Sequence, residues 1–172
     1  MEEWPIRYAG LLKNDIAAGP GICVTFFTQG CPHQCHGCHN PETWDFNGGL
    51  EFHPDIIKEI IDALTAQGIN RNFCIMGGEP LCPENEFLTM LLIIEVRKHL
   101  PDVPIYIWTG YTLEQLMHKG DRIRQILKSI NYLIDGPYIE AQRDTTLPMR
   151  GSSNQRIIDM KTVDFSEKIW YN

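Results

Sequence analysis

Apolar and polar positions along the chain fall into two alternating kinds of block. Ile22 to Thr28 (ICVTFFT) is a short β-branched and aromatic run, bounded by Gly19-Pro20-Gly21 and by Gly30, and it predicts a strand. Pro54 to Gln67 carries Ile56, Ile57, Ile60, Ile61 and Leu64 at helical spacing, opened by Pro54 and closed by Gly68. Phe73 to Met76 reads as a buried strand. Glu84 to Leu100, with Phe87, Leu88, Leu91, Leu92 and Val96 in phase, reads as a helix stopped by Pro101. Ile105 to Trp108 is strand again. Thr112 to Lys119 is a short helix in which Thr112 and Gln115 fit a capping box. A helix over Arg122 to Ser129, a strand over Tyr132 to Ile134 and a last strand over Arg156 to Met160 complete the pattern.

Strand and helix in that rhythm predict an α/β fold with right-handed crossovers and a mainly parallel sheet. In such sheets the functional loops gather at the C-terminal ends of the strands. Each unusual motif follows a predicted strand: the cysteine loop after Thr28, Gly77-Gly78-Glu79-Pro80 after Met76, Thr109-Gly110 after Trp108, and Asp135-Gly136-Pro137 after Ile134. Four loops are therefore expected along one edge.

Composition narrows the function. With 172 residues and 43% hydrophobic composition, a single domain is expected. A formal charge of −7 supplies no basic face, so no nucleic-acid partner is expected. The longest apolar run, around Met90 to Ile94, is too short to span a bilayer, and no stretch near the N-terminus has signal length. A soluble, cytoplasmic protein without a membrane partner is expected. In that reducing setting the six cysteines point to metal or redox chemistry rather than disulfides.

Residues 28 to 44 (TQGCPHQCHGCHNPETW) crowd Cys31, Cys35 and Cys38 together with three histidines. One reading is a closed zinc site, completed by His33, His36 or His39, which would make the protein a zinc-binding adaptor. The other is a [4Fe–4S] cube, which usually takes four cysteines and here would keep one iron open to a small molecule. Structural zinc sites usually use two separated ligand pairs, so the dense triplet favours the cube. Ordinary core thiols fit poorly beside so many polar neighbours. Cys23 and Cys74 fall inside strands and read as small apolar residues. Cys82 follows GGEPL on the same edge and is a candidate fourth ligand.

The Cys-x₃-Cys-x₂-Cys spacing resembles the signature of radical S-adenosylmethionine (SAM) enzymes. Further stretches, CHNPETWDFNGG at 38–49, GGEPL at 77–81, WTGYTLEQL at 108–116, DGPYIE at 135–140 and RGSSNQRIIDM at 150–160, are similar to the activating proteins of anaerobic (class III) ribonucleoside-triphosphate reductase. The resemblance runs from Gly19 to Met160. It implies a partial, open parallel β/α barrel of the radical SAM type, one domain over residues 1–172 with its core at about 19–160.

The same resemblance implies an enzyme whose metal ligands are Cys31, Cys35 and Cys38. Its [4Fe–4S] cluster would cleave SAM reductively to methionine and a 5′-deoxyadenosyl radical, which makes a glycyl radical on the reductase. Gly77, Gly78 and Glu79 would meet the methionine ammonium, Gly37, Cys38 and His39 the adenine, and Thr109 the ribose or methionine carboxylate. No catalytic side chain beyond the cluster ligands is implied. The partners implied are the reductase, docking over the four-loop edge near Tyr138, Leu147, Pro148 and Met149, and an electron donor of flavodoxin or ferredoxin type; a homodimer is allowed. Activation of another glycyl-radical enzyme, or another radical SAM reaction, is the alternative. Arg150, Asn154, Gln155 and Arg156 offer donors to cofactor, partner or a turn. Asp135 orients cofactor groups or opens its own turn. His33 and His36 read as solvated loop residues.

Overall fold

The computed structural model describes residues 6–166; the first and last residues of the expected domain lie outside them. Seven strands form one open sheet in the order β3-β1-β2-β4-β5-β6-β7. The middle four, β2 (Cys23–Thr28), β4 (Asn72–Gly77), β5 (Ile105–Trp108) and β6 (Tyr132–Asp135), run parallel to one another. The flanks reverse direction: β1 (Arg7–Asp15) pairs antiparallel with β2, the two-residue β3 (Leu50–Glu51) with β1, and β7 (Arg156–Asp159) with β6. The sheet is thus mixed, parallel in its middle as expected and antiparallel at both flanks, and it does not close.

Strand periodicity sorts the side chains into two faces. Val24, Phe26, Phe73, Ile75, Ile105, Ile107 and Leu133 point to one side, where they join the larger core. All four helices, α1 (Asp55–Thr65), α2 (Glu86–His99), α3 (Leu113–Met117) and α4 (Asp121–Ser129), send their buried residues into that same core. Cys23, Cys74, Tyr106 and Ile134 point to the other side, with Met76, Trp108 and Met149 packed beside them. Each fully buried large apolar side chain contributes about 1.5–3 kcal/mol. The helix side therefore carries most of the stability, and the other face is left for a cavity.

The helix ends obey the local chemistry. Thr112 caps α3, accepting from the Gln115 backbone N–H while the Gln115 side chain accepts from the Thr112 N–H, as the capping box predicts. In α2 the buried stripe is Leu88, Leu92, Ile93 and Val96, whereas Phe87 is 54% exposed. This helix is apolar on nearly all sides, so its pattern predicts its existence but not its inward face. Among the described residues no helix is long and apolar enough to cross a membrane.

Candidate functional site

Because β2, β4, β5 and β6 are parallel, their C-terminal ends share an edge, and the loops that follow them border one cavity of about 680 Å³. Cys31, Cys35, Cys38 and His39 come from the first loop, Gly77, Gly78 and Glu79 from the second, and Thr109 and Gly110 from the third. The fourth loop adds Tyr138, Met149, Arg150 and Gln155. Phe27, Met76 and Trp108 give the wall an apolar stretch. Gly37 does not border the cavity; its Cα faces Glu140 and Tyr138.

The cysteine loop is held at its root by residues that no motif marks. Gly30 N donates to Thr43 O at 2.7 Å and Cys31 N to Trp44 O at 3.1 Å, closing the loop on itself. Gln29, 3% exposed, donates from Nε2 to the carbonyls of Glu42 and Asp45 at 3.2 and 2.7 Å. Asn85, 4% exposed, donates from Nδ2 to the carbonyls of Gln29, Gly30 and Glu79 at 3.0, 3.2 and 2.9 Å. One amide thus ties the cysteine loop to the Gly-Gly-Glu loop. Between these loops the backbones touch: Gly78 N donates to Thr28 O at 2.9 Å, Glu79 N to Gly30 O at 2.8 Å, and a Cβ on Gly78 would strike the Gly30 carbonyl. Gly77, with φ 106°, adopts a conformation only glycine takes readily.

Glu79 is the centre of the arrangement and is 1% exposed. Its Oε1 accepts from Thr109 Oγ1 at 2.7 Å and from Leu81 N at 2.9 Å. Its Oε2 accepts from Gly110 N at 2.7 Å and from His33 Nε2 at 2.9 Å. The Thr109 hydroxyl also accepts from Tyr111 N at 3.2 Å, so its proton is directed at Glu79. Thr109 and His33 are therefore part of this network; His33 is not a solvated loop residue, because its imidazole is drawn onto the buried carboxylate.

Burial pushes the Cys31 thiol up to about 11, and it raises Cys35 as well. A thiol in that position keeps its proton until a metal displaces it, so metal binding here releases protons. Cys82 is fully buried, donates its Sγ–H to the Glu79 carbonyl at 3.2 Å and does not border the cavity. Cys31, Cys35 and Cys38 all border the one cavity. A cube takes each thiolate on a separate iron, so a donor set of three thiols on one cavity fits it.

The rest of the fourth loop is self-supporting. Asp135, 1% exposed, accepts from Leu113 N at 2.7 Å and from Arg156 Nε at 3.0 Å, and Arg156 continues to Glu114 with bonds of 3.1 and 2.8 Å. Gln155 accepts at Oε1 from Gly151 N and donates from Nε2 to the Gly136 carbonyl, and Asn154 donates to Pro137 O. These three members of the RGSSNQR run brace the turn. Arg150 alone of its cations reaches the cavity.

A model of the 4Fe-4S single cluster domain family matches residues 17–158. The anaerobic ribonucleoside-triphosphate reductase-activating protein of Pasteurella multocida is 38% identical over 154 residues, which is 88% of this chain and 96% of that one. The proteins of the same name from Vibrio cholerae and Escherichia coli K12 are each 38% identical, over 88% and 87% of this chain and 97% and 96% of theirs. The chain belongs to the 4Fe-4S single cluster domain family, among these activating proteins. The family match covers all four cavity loops except the last residues of the sheet, so the network around Glu79 lies wholly inside the 4Fe-4S single cluster domain. Gln29 and Asn85 escaped the sequence reading because a polar residue at a strand end or before a helix ordinarily signals a turn or a cap; burial of the side chain, not its type, reveals the role.

Proposed function

We propose that this chain activates an anaerobic ribonucleoside-triphosphate reductase by forming a glycyl radical on it, with a [4Fe–4S] cluster on Cys31, Cys35 and Cys38 and SAM bound beside it. The observation that carries this reading is the meeting of the three thiols, the Gly-Gly-Glu loop and the Thr109 loop on one cavity. When bound, the reduced cluster supplies the electron that splits SAM into methionine and a 5′-deoxyadenosyl radical.

The chain's own residues hold and shield. Cys82 is turned to the Glu79 carbonyl, so Cys31, Cys35 and Cys38 would hold the cluster and leave one iron for SAM. Gly77 and Gly78 let backbone approach the methionine ammonium, on the side where Glu79 lends negative charge; Cys38 and His39 face the adenine. Glu79 already accepts four protein hydrogen bonds, so its first task is to fix the loops, and Thr109 acts through it. Phe27, Met76 and Trp108 keep water from a reactive radical.

The open sheet is read as a partial barrel of the radical SAM type, a single domain with its core at about 19–160. Its uncovered edge receives the reductase near Tyr138, Leu147, Pro148 and Met149, and a flavodoxin- or ferredoxin-type donor supplies the electron in the cytoplasm. The test is anaerobic: reconstituted protein, reductant and SAM are expected to yield 5′-deoxyadenosine and a glycyl-radical EPR signal in the reductase. Cys31→Ala is expected to abolish both. Neither product from iron-loaded wild-type protein would overturn the reading.

A further inference from the structure

The cysteine loop contains one functional side chain that the chemistry above leaves unused. Residues 32–37 form an arch whose backbone, among the described residues, makes no backbone hydrogen bond to another element; the turn bond from Cys38 N to Cys35 O is internal. Gln34 in this arch has φ 45° and Gly37 φ 77°, so its path is not one that local preference would choose. Ordering a backbone costs about 1–2 kcal/mol per residue. The Cys31 thiol accepts from the His33 and Gln34 N–H groups and the Cys35 thiol from Tyr138 N, but something must still tie the arch to the Glu79 side.

His33 does so, from midway between Cys31 and Cys35. Its Nε2 donates to Glu79 Oε2 at 2.9 Å, and its side chain is 20% exposed. The other three bonds to Glu79 come from Leu81, Thr109 and Gly110. Among the described residues, His33 is thus the cysteine loop's single donor to this carboxylate. The ring is gripped from the side as well: Tyr111 meets it edge to face, with centroids 4.4 Å apart, and the Lys119 ammonium lies 3.8 Å from the centroid of Tyr111. A Cβ on Gly110 would collide with the imidazole, so glycine there makes the approach possible.

We propose that His33 is a positioning residue: through Glu79 it sets the distance between the cysteine arch and Gly77-Gly78, and thereby the width of the opening that SAM enters. This rests on the reading of the cavity as a cluster and SAM site. His33 itself borders the cavity, beside Cys31 and Cys35. A hydrogen bond to a carboxylate is among the stronger kinds, so its loss is expected to weaken a ligand that depends on the arch by about tenfold.

Two substitutions separate the donor from the ring. His33→Phe keeps a ring against Tyr111 and loses the donor; His33→Gln keeps an N–H of similar reach and loses the ring. With cluster-loaded protein under anaerobic conditions, calorimetry is expected to give a SAM dissociation constant about tenfold higher for His33→Phe and within about threefold of wild type for His33→Gln. The EPR spectrum of the reduced cluster with SAM is expected to broaden in the Phe variant alone. Wild-type affinity in His33→Phe, or equal weakening in both variants, would overturn the proposal. Hydrogen exchange across residues 31–38, which requires no cofactor, gives an independent reading: faster in Phe, near wild type in Gln. If wild-type protein bound no SAM, the reading of the cavity would fall, and equal exchange in all three proteins would still overturn the role of His33.

Discussion

Two carboxylates, Glu79 and Asp135, are buried at the same edge of the sheet, each 1% exposed, and they are satisfied in opposite ways. Asp135 is met by the Arg156 guanidinium, which also reaches Glu114, so one cation offsets the buried charge and is shared with an exposed one. Among the described residues no Lys or Arg pairs with Glu79: an imidazole, a hydroxyl and two backbone N–H groups surround it. Dipoles stabilise a charge without cancelling it. Burial raises Cys31, Cys35 and Cys82 first of all, and the nearby charge of Glu79 adds a smaller push in the same direction. The ion pair braces the fourth loop, while Glu79 joins the cysteine loop, its own loop and the Thr109 loop at the cavity.

Removing each carboxylate is the strongest way to break this contrast. Glu79→Ala strands several buried donors and is expected to cost about 4 kcal/mol in urea unfolding, with iron content after reconstitution falling severalfold. Asp135→Ala leaves a half-exposed Arg156 still bonded to Glu114, so a loss of about 2 kcal/mol is expected, with iron content per folded molecule unchanged. Equal iron loss in both variants would show that the two sites do not differ in kind.

Thr109→Val removes one donor from Glu79 and moves no charge. About 1 kcal/mol is expected, read as a fall of roughly 2–4 °C in Tm. Glu114→Gln, on the exposed side of the ion pair, is expected to cost under about 1 kcal/mol at neutral pH. Arg156 holds Glu114 below its ordinary value of 4.5, so this contribution is present above that pH and is lost as pH falls through the lowered pKa. Unfolding curves of wild type and Glu114→Gln should therefore separate near neutrality and merge in acid.

The parallel core of the sheet was legible because β2, β4, β5 and β6 are runs of β-branched and aromatic residues between turn formers. The strand β1 was not: RYAGLLKND mixes Gly10, Lys13 and Asn14 with exposed Leu12, and only its pairing with β2 makes it a strand. The two residues of β3 exist as a strand only through Arg7 and Tyr8. At the site, the thiols and glycines announced themselves by residue type and by position after strands. Gln29 and Asn85 did not, since their roles depend on carbonyls up to 56 residues away in sequence. The reach of His33 to Glu79 spans 46 positions and was equally hidden.

The crossing of Gly78 over the Gly30 carbonyl admits no atom between the two loops. That point behaves as a rivet: the walls on either side of it cannot slide past one another, and any breathing of the cleft must be taken up at its far rim. Even a single methyl inserted there would prise the two walls apart from their root, with no nearby slack to absorb it.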